Sequence, residues 1–164
     1  MKKHILSVLV ANKAGVLSRI SGLFSRRGFN IHSLAVGTTN DETVSRITIV
    51  VIGDEYIVDQ VTKQLNKLID VIKIKRLMEE DTVSRELALI KVAADNNNRS
   101  GIVQIVDIFR ANIIDVSHKT ITIEITGSSE KLQAIIDLLA PFEIKEMVKT
   151  GMISIERGTN IINE

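Results

Sequence analysis

One order of apolar segments occurs twice along the 164 residues, and it restricts the fold more than any other feature of the chain. Residues 3–11 are rich in Ile, Leu and Val and read as a strand. Val16, Leu17, Ile20, Leu23 and Phe24 then step i, i+1, i+4, i+7, i+8, the spacing of one buried helix face. Gly28 stands where a helix C-cap is wanted. Two β-rich segments, Phe29–Val36 and Thr43–Ile52, flank the turn-prone "GTTNDE" and predict a hairpin. Asp54 then caps a second amphipathic helix on Ile57, Val58, Val61, Leu65, Leu68 and Ile69, which leads into the strand "VIKIKRLM". The order βαββαβ is complete by Met78.

After the charged interval "EEDTVS" the order begins again with "RELALIKVAA". A helix around Gly101, Ile102, Val103, Val106 and Phe109 follows. The strands "NIIDVS" and "KTITIEITG" flank His118, and Ser128 or Ser129 caps a helix on Leu132, Ile135, Ile136 and Leu139 that Pro141 ends. "FEIKEMVKTGMISIERG" returns to β. Gly15-Val16 aligns with Gly101-Ile102, and Ile20 with Val106. The expectation is an α+β chain of two ferredoxin-like βαββαβ domains in tandem: a first over 1–78, a linker over 79–84 and a second over 85–164. Lys and Arg number 12 against 8 Asp and Glu in residues 1–80 but 9 against 12 in residues 81–164, so the halves are expected to do different jobs.

Composition removes several classes of function. A net charge of +1 gives no electrostatic case for nucleic acid or an anionic membrane surface as the main partner. With no cysteine there are no disulfides and no thiolate metal sites, as in proteins of a reducing cytoplasm. The opening "MKKHILSVLVANK" has a short apolar run that stops at Ala11-Asn12 without a cleavage context, so it reads as a strand and not as a signal peptide. No apolar run approaches the roughly 20 residues that span a bilayer, and a soluble, cytoplasmic protein is expected.

The ends of the first helix ask for more than packing. Short βα connections leave the first helical amides unpaired, and with the helix dipole they favour an anionic group. Gly15 lets a carboxylate approach the backbone without meeting a Cβ, Asn12 supplies an amide at the mouth of the turn, and Asn30 offers a donor and an acceptor at the next strand. That set suits a zwitterion. The same residues also admit a purely structural reading, with Asn12 an N-cap, Gly15 a turn glycine, Gly28 a C-cap and Asn30 a polar strand entry.

Across "ILSVLVANKAGVLSRISGLFSRRGFNIHSLAV", "VSRITIVV", "QLNKLIDVIKI", "RELALIKV", "IFRANIIDVS" and "GMISIERG" the chain closely resembles the small, regulatory subunits of acetolactate synthase, also called acetohydroxyacid synthase. The resemblance implies an N-terminal ACT domain over 1–78 that binds an effector and dimerises, and a C-terminal domain particular to these subunits over 85–164. It implies a non-catalytic homodimer that activates the catalytic subunit and confers feedback inhibition by a branched-chain amino acid, chiefly valine. The effector then lies between two ACT domains, against Asn12, Gly15, Val16 and Leu17 of one chain and Asn30 and Ile31 of its neighbour. Thiamine diphosphate, Mg and FAD are expected on the catalytic subunit, and no cofactor in this chain.

Other readings are weaker. His4, His32 and His118 lack the short spacing of zinc motifs. An RNA-recognition fold shares the βαββαβ order, but "VSRITIVV" and "ILSVLV" carry none of its stacking aromatics. No G-x-G-x-x-G, P-loop or Ser-His-Asp motif is present. Arg26-Arg27 and "KIKR" at Lys73–Arg76 are candidates to meet an acidic partner surface, or are simply solvated. The alternative function is a stand-alone ACT-type amino-acid sensor acting on another enzyme or regulator.

Overall fold

A computed structural model describes residues 2–162. The chain divides into two compact units, one made of residues up to Val83 together with those from Met152 onward, the other of Ser84–Gly151.

In the first unit, strand β1 (Lys2–Ala11) leads into helix α1 (Val16–Arg27), the hairpin of β2 (Ile31–Thr38) and β3 (Val44–Gly53), helix α2 (Glu55–Leu65) and strand β4 (Val71–Leu77). The sheet order is β2-β3-β1-β4, antiparallel throughout, so β1 is central and β2 is an edge. Alternation along the strands sends Leu6, Val8 and Val10 of β1 and Ile47, Ile49 and Val51 of β3 toward Val16, Ile20, Leu23 and Phe24 of α1 and Val58, Val61 and Leu65 of α2. Each fully buried Leu or Ile in that layer contributes about 1.5–3 kcal/mol. The predicted stripe of α1 departs from this at one position. Leu17 is 44% exposed, because it lies off the face that Val16, Ile20, Leu23 and Phe24 turn to the sheet.

Both ends of α1 are glycines in the left-handed region: Gly15 (φ 86°) starts it and Gly28 (φ 67°) closes it, its N–H donating to the Phe24 and Ser25 carbonyls. Arg26 and Arg27 occupy the last turn, where the dipole favours cations. Asp54 caps α2 as expected, Oδ1 accepting from the Ile57 N–H at 2.9 Å. That helix is shorter than its apolar spacing suggests. The chain must reverse by Val71, so Leu68 falls in a turn yet still packs on the core, while Ile69 is 97% exposed.

The second unit repeats the plan. Strand β5 (Thr82–Ala93) starts inside the interval read as a linker, after a single 3-10 turn at Glu79–Asp81. Helix α3 (Arg99–Ile108), β6 (Asn112–Val116), β7 (Thr120–Gly127), α4 (Ser129–Leu139) and β8 (Ile144–Lys149) follow, in the order β6-β7-β5-β8. The duplication extends to local detail. A Cβ on Gly53 would lie 2.9 Å from Ile57 Cβ, so glycine there lets the following helix pack this close, and at the matching third-strand end a Cβ on Gly127 would crowd the side chain of Lys131, whose flexible stem can shift.

The C-terminal β segment is not one strand. After β8 the chain breaks at Thr150–Met152 and forms a short β9 (Ile153–Glu156) that pairs with β5, whose first residues Thr82 and Val83 also belong to the first unit, and that groups with that unit. This differs from the division read in the sequence, which runs the second half unbroken to residue 164. The reason is physical: β9 packs beside β1 and β4, Lys75 Nζ meets the Glu156 carboxylate at 2.6 Å, and the Arg157 N–H donates to the Asp81 carbonyl at 2.8 Å.

Candidate functional site

The turn from β1 into α1 is tied down on the side of the hairpin. Asn12 N–H donates to the Thr43 carbonyl at 2.7 Å and Asn12 Nδ2 to the Glu42 carbonyl at 2.8 Å. Asn12 is therefore no helix cap; its amide docks the turn on the β2–β3 loop. The loop is itself held by Asp41, whose Oδ1 accepts from Thr43 N at 2.8 Å and Thr43 Oγ1 at 2.7 Å. Those two donors hold the Asp41 carboxyl below its ordinary range.

Gly15 takes the N-cap position itself, and a glycine has no side chain with which to cap. Its carbonyl accepts the first helical bond, from Arg19 N–H at 3.0 Å. The Val16 amide makes a long 3.4 Å contact to the Lys13 carbonyl, and the Leu17 and Ser18 amides have no partner among the described residues. No acidic side chain occupies the first turn. The result is an uncapped helix start carrying the positive end of the dipole, with Gly15 exposed and Val16 buried beneath it.

Arg19 is the residue that sequence reasoning missed here, since it lies outside the apolar stripe of the first helix. Its Nη2 lies 2.6 Å and its Nε 2.9 Å from Asp70 Oδ2. A Cβ on Gly15 would lie 3.3 Å from Arg19 Nη1, so a guanidinium stands beside the glycine. The available signal was spacing: Arg19 is i+4 from Gly15, and residues so spaced share a helix face. Asp70 immediately precedes β4, whose start adjoins the end of β1, and its carbonyl accepts from Ala11 N–H at 2.9 Å.

Asn30 and Ile31 lie at the far end of α1. Asn30 is exposed, and Ile31 opens β2 opposite Val51, which in turn faces His4 near the start of β1. From His4 to Ala11 is seven residues, roughly 23 Å at about 3.3 Å each. The six predicted residues thus fall into two groups, Asn12 to Leu17 at one end of the first sheet and Asn30 with Ile31 at the other. Within one chain they do not meet.

No three His, Asp or Glu side chains are placed to share a metal ion among the described residues. His4 is engaged otherwise, Nε2 lying 3.1 Å from the Gly53 carbonyl and Nδ1 2.8 Å from Arg76, which also holds Glu55. No helix is long and apolar enough to cross a membrane among the described residues.

Comparison with known proteins places this geometry in a family. A family model described as the AHAS small subunit-like ACT domain matches residues 6–73, and one described as the small subunit of acetolactate synthase matches residues 85–158. The acetolactate synthase small subunit of Mycobacterium bovis is 55% identical over 157 residues, covering 96% of this chain and 94% of that protein. A probable acetolactate synthase small subunit of Archaeoglobus fulgidus is 53% identical over 156 residues, covering 95% and 98%. The crystal structure of the acetolactate synthase small subunit from Thermotoga maritima superposes with a TM-score of 0.91 at 41% identity, covering 98% of this chain and all of that one. Two ACT-type ferredoxin-like units in tandem and relatives matched along almost their whole length lead to one conclusion: the chain belongs to the family of acetolactate synthase small, regulatory subunits.

Proposed function

We propose that this chain is a non-catalytic regulatory subunit that binds the catalytic subunit of acetolactate synthase, activates it, and withdraws that activation when a branched-chain amino acid, chiefly valine, occupies a site shared by two ACT domains. The observation that carries the reading is the separation of the two half-sites. An effector touching both needs a second copy, turned so that the end of one α1 meets the start of the other. A two-fold axis beside the free edge strand β2 supplies that relation, because an isologous interface sets each patch against its own reverse. Helix α1, which connects β1 to β2 across β3, then lies beside its antiparallel twin.

The chemistry of each half fits a small zwitterion. The unpaired Leu17 and Ser18 amides, with the Arg19 guanidinium beside Gly15, suit a carboxylate. Asn30 of the neighbour offers an acceptor to the ammonium group. Leu17 and Val36, both apolar and exposed, belong to the end of the unit where the effector's aliphatic side chain is to be buried. A ligand acts only by preferring one arrangement, so coupling of about 1–3 kcal/mol between effector and quaternary state is sufficient for a graded response. The cofactors of the reaction, thiamine diphosphate, Mg and FAD, belong in this reading to the catalytic subunit.

The decisive experiment is reconstitution with the catalytic subunit and titration with valine, leucine and isoleucine. Activation that the amino acids reverse supports the proposal. If the isolated chain binds an amino acid but neither associates with nor stimulates the large subunit, it is instead a stand-alone ACT-type sensor.

A further inference from the structure

The first sheet has a face that carries no helix, and that face is covered nevertheless. Ser7 and Leu9 of β1 and Thr48 and Val50 of β3 alternate away from the helices, yet all four are buried. Beside β1 and β4 lies β9, brought from the far end of the chain. The face is cationic. Arg46 of β3 donates from Nε to Ser7 Oγ at 2.8 Å, and Lys75 and Lys73 of β4 stand opposite Ser7 and Leu9. The Glu156 carboxylate, only 13% exposed, meets Lys75 at 2.6 Å, and its charge also acts on Arg46. Removing Glu156 leaves half-buried cations without a counter-charge on this face, a costly arrangement.

Both strands that the clamp packs against reach the half-site of Asn12 and Gly15. Strand β4 starts directly after Asp70, which grips Arg19. Strand β1 ends at Ala11, directly before Asn12. We propose that Met152–Arg157, paired with β5 along β9, is a clamp whose hold on the ACT sheet is fastened by Glu156, and that this hold is thermodynamically coupled to occupation of the Asn12–Leu17 site. The coupling rests on the effector reading above; the fastening by Glu156 does not. Linkage makes the coupling reciprocal: an attached clamp tightens effector binding by the same factor by which bound effector holds the clamp down.

The test uses the full chain and two readouts, hydrogen exchange over residues 152–157 and calorimetric titration with valine. In Glu156→Gln the clamp amides should exchange about tenfold faster and valine should bind about fivefold more weakly. Glu156→Asp, which keeps the charge, should stay close to the parent in both. Saturating valine should slow clamp exchange in the parent. If Glu156→Gln leaves clamp exchange unchanged, the fastening is wrong. If valine binds with full heat and clamp exchange does not respond, the coupling is wrong. If the parent binds no branched-chain amino acid, the effector reading fails and takes the coupling with it, while the exchange of Glu156→Gln still decides the role of Glu156.

Discussion

At the scale of single residues, Gly15 separates backbone from charge. Its φ of 86° strains any side chain, and Asn and Asp tolerate that region better than other residues. Gly15→Asn and Gly15→Asp therefore share most of their backbone cost and differ in one negative charge beside the Leu17 and Ser18 amides. Gly15→Asp should abolish valine inhibition of the reconstituted enzyme and leave activation intact, its own carboxylate pairing with Arg19 where the ligand's would go. Gly15→Asn should keep a weakened response. Equal inhibition curves for Gly15→Asp and the parent enzyme would remove the half-site from the mechanism.

Asp41 allows a sharper test of the loop that holds Asn12. Its folded-state pKa is depressed, so its contribution is present above the ordinary carboxylate value and is lost as pH falls through the lower, folded one. By NMR, Asp41 should titrate below the usual Asp range, and Thr43→Val, which removes the Oγ1 donor, should bring it back toward that range. The Asn12 side-chain amide, bonded to the neighbouring Glu42 carbonyl, should report the same titration. An unmoved Asp41 in Thr43→Val would show that the hydroxyl is not the cause.

At the scale of elements, the helix caps invite a paired comparison across the duplication. Asp54 accepts from Ile57 N at 2.9 Å and Ser128 from Lys131 N at 3.3 Å. Loss of such a cap costs about 0.5–2 kcal/mol, and the ionised, shorter one at the positive end of a dipole should stand near the top of that range. Asp54→Ala should thus lower the urea midpoint more than Ser128→Ala. Both caps were legible in the sequence because a cap is a local matter of residue type and spacing. So were the Gly15 and Gly28 ends of α1 and the alternation of β3.

What escaped was set by tertiary demand. Leu17 fits the helical stripe but has nothing above it in one chain, and Ile69 continues the spacing of α2 beyond the point where the chain must turn for β4. Arg19 lies outside the apolar stripe, and only the fold puts Asp70 beside it. The clamp is the furthest from local reading. "GMISIERG" carries strand propensity, but nothing within it says that Glu156 answers Lys75 some eighty residues earlier.

At the scale of the whole molecule, the proposed half-sites at opposite ends of α1 would make effector binding and self-association a single equilibrium. A ligand that needs both halves binds the dimer and not the monomer, so it must strengthen dimerisation, and its apparent affinity must rise with protein concentration until the dimer is fully formed. Sedimentation equilibrium of the isolated chain should show a dimer dissociation constant that falls as valine is added. A hundredfold excess of valine over its dissociation constant corresponds to about 2.7 kcal/mol per site, so the tightening should reach two orders of magnitude for even one site per dimer. Val36→Glu places a charge on the edge strand, at a position 46% exposed in the single chain. It should weaken dimerisation and valine binding together, with little change in the unfolding midpoint of the monomer. Valine affinity that holds constant across dilution through the monomer–dimer transition would mean that one chain makes the whole site, and the separation of Asn30 from Gly15 would then have no bearing on feedback.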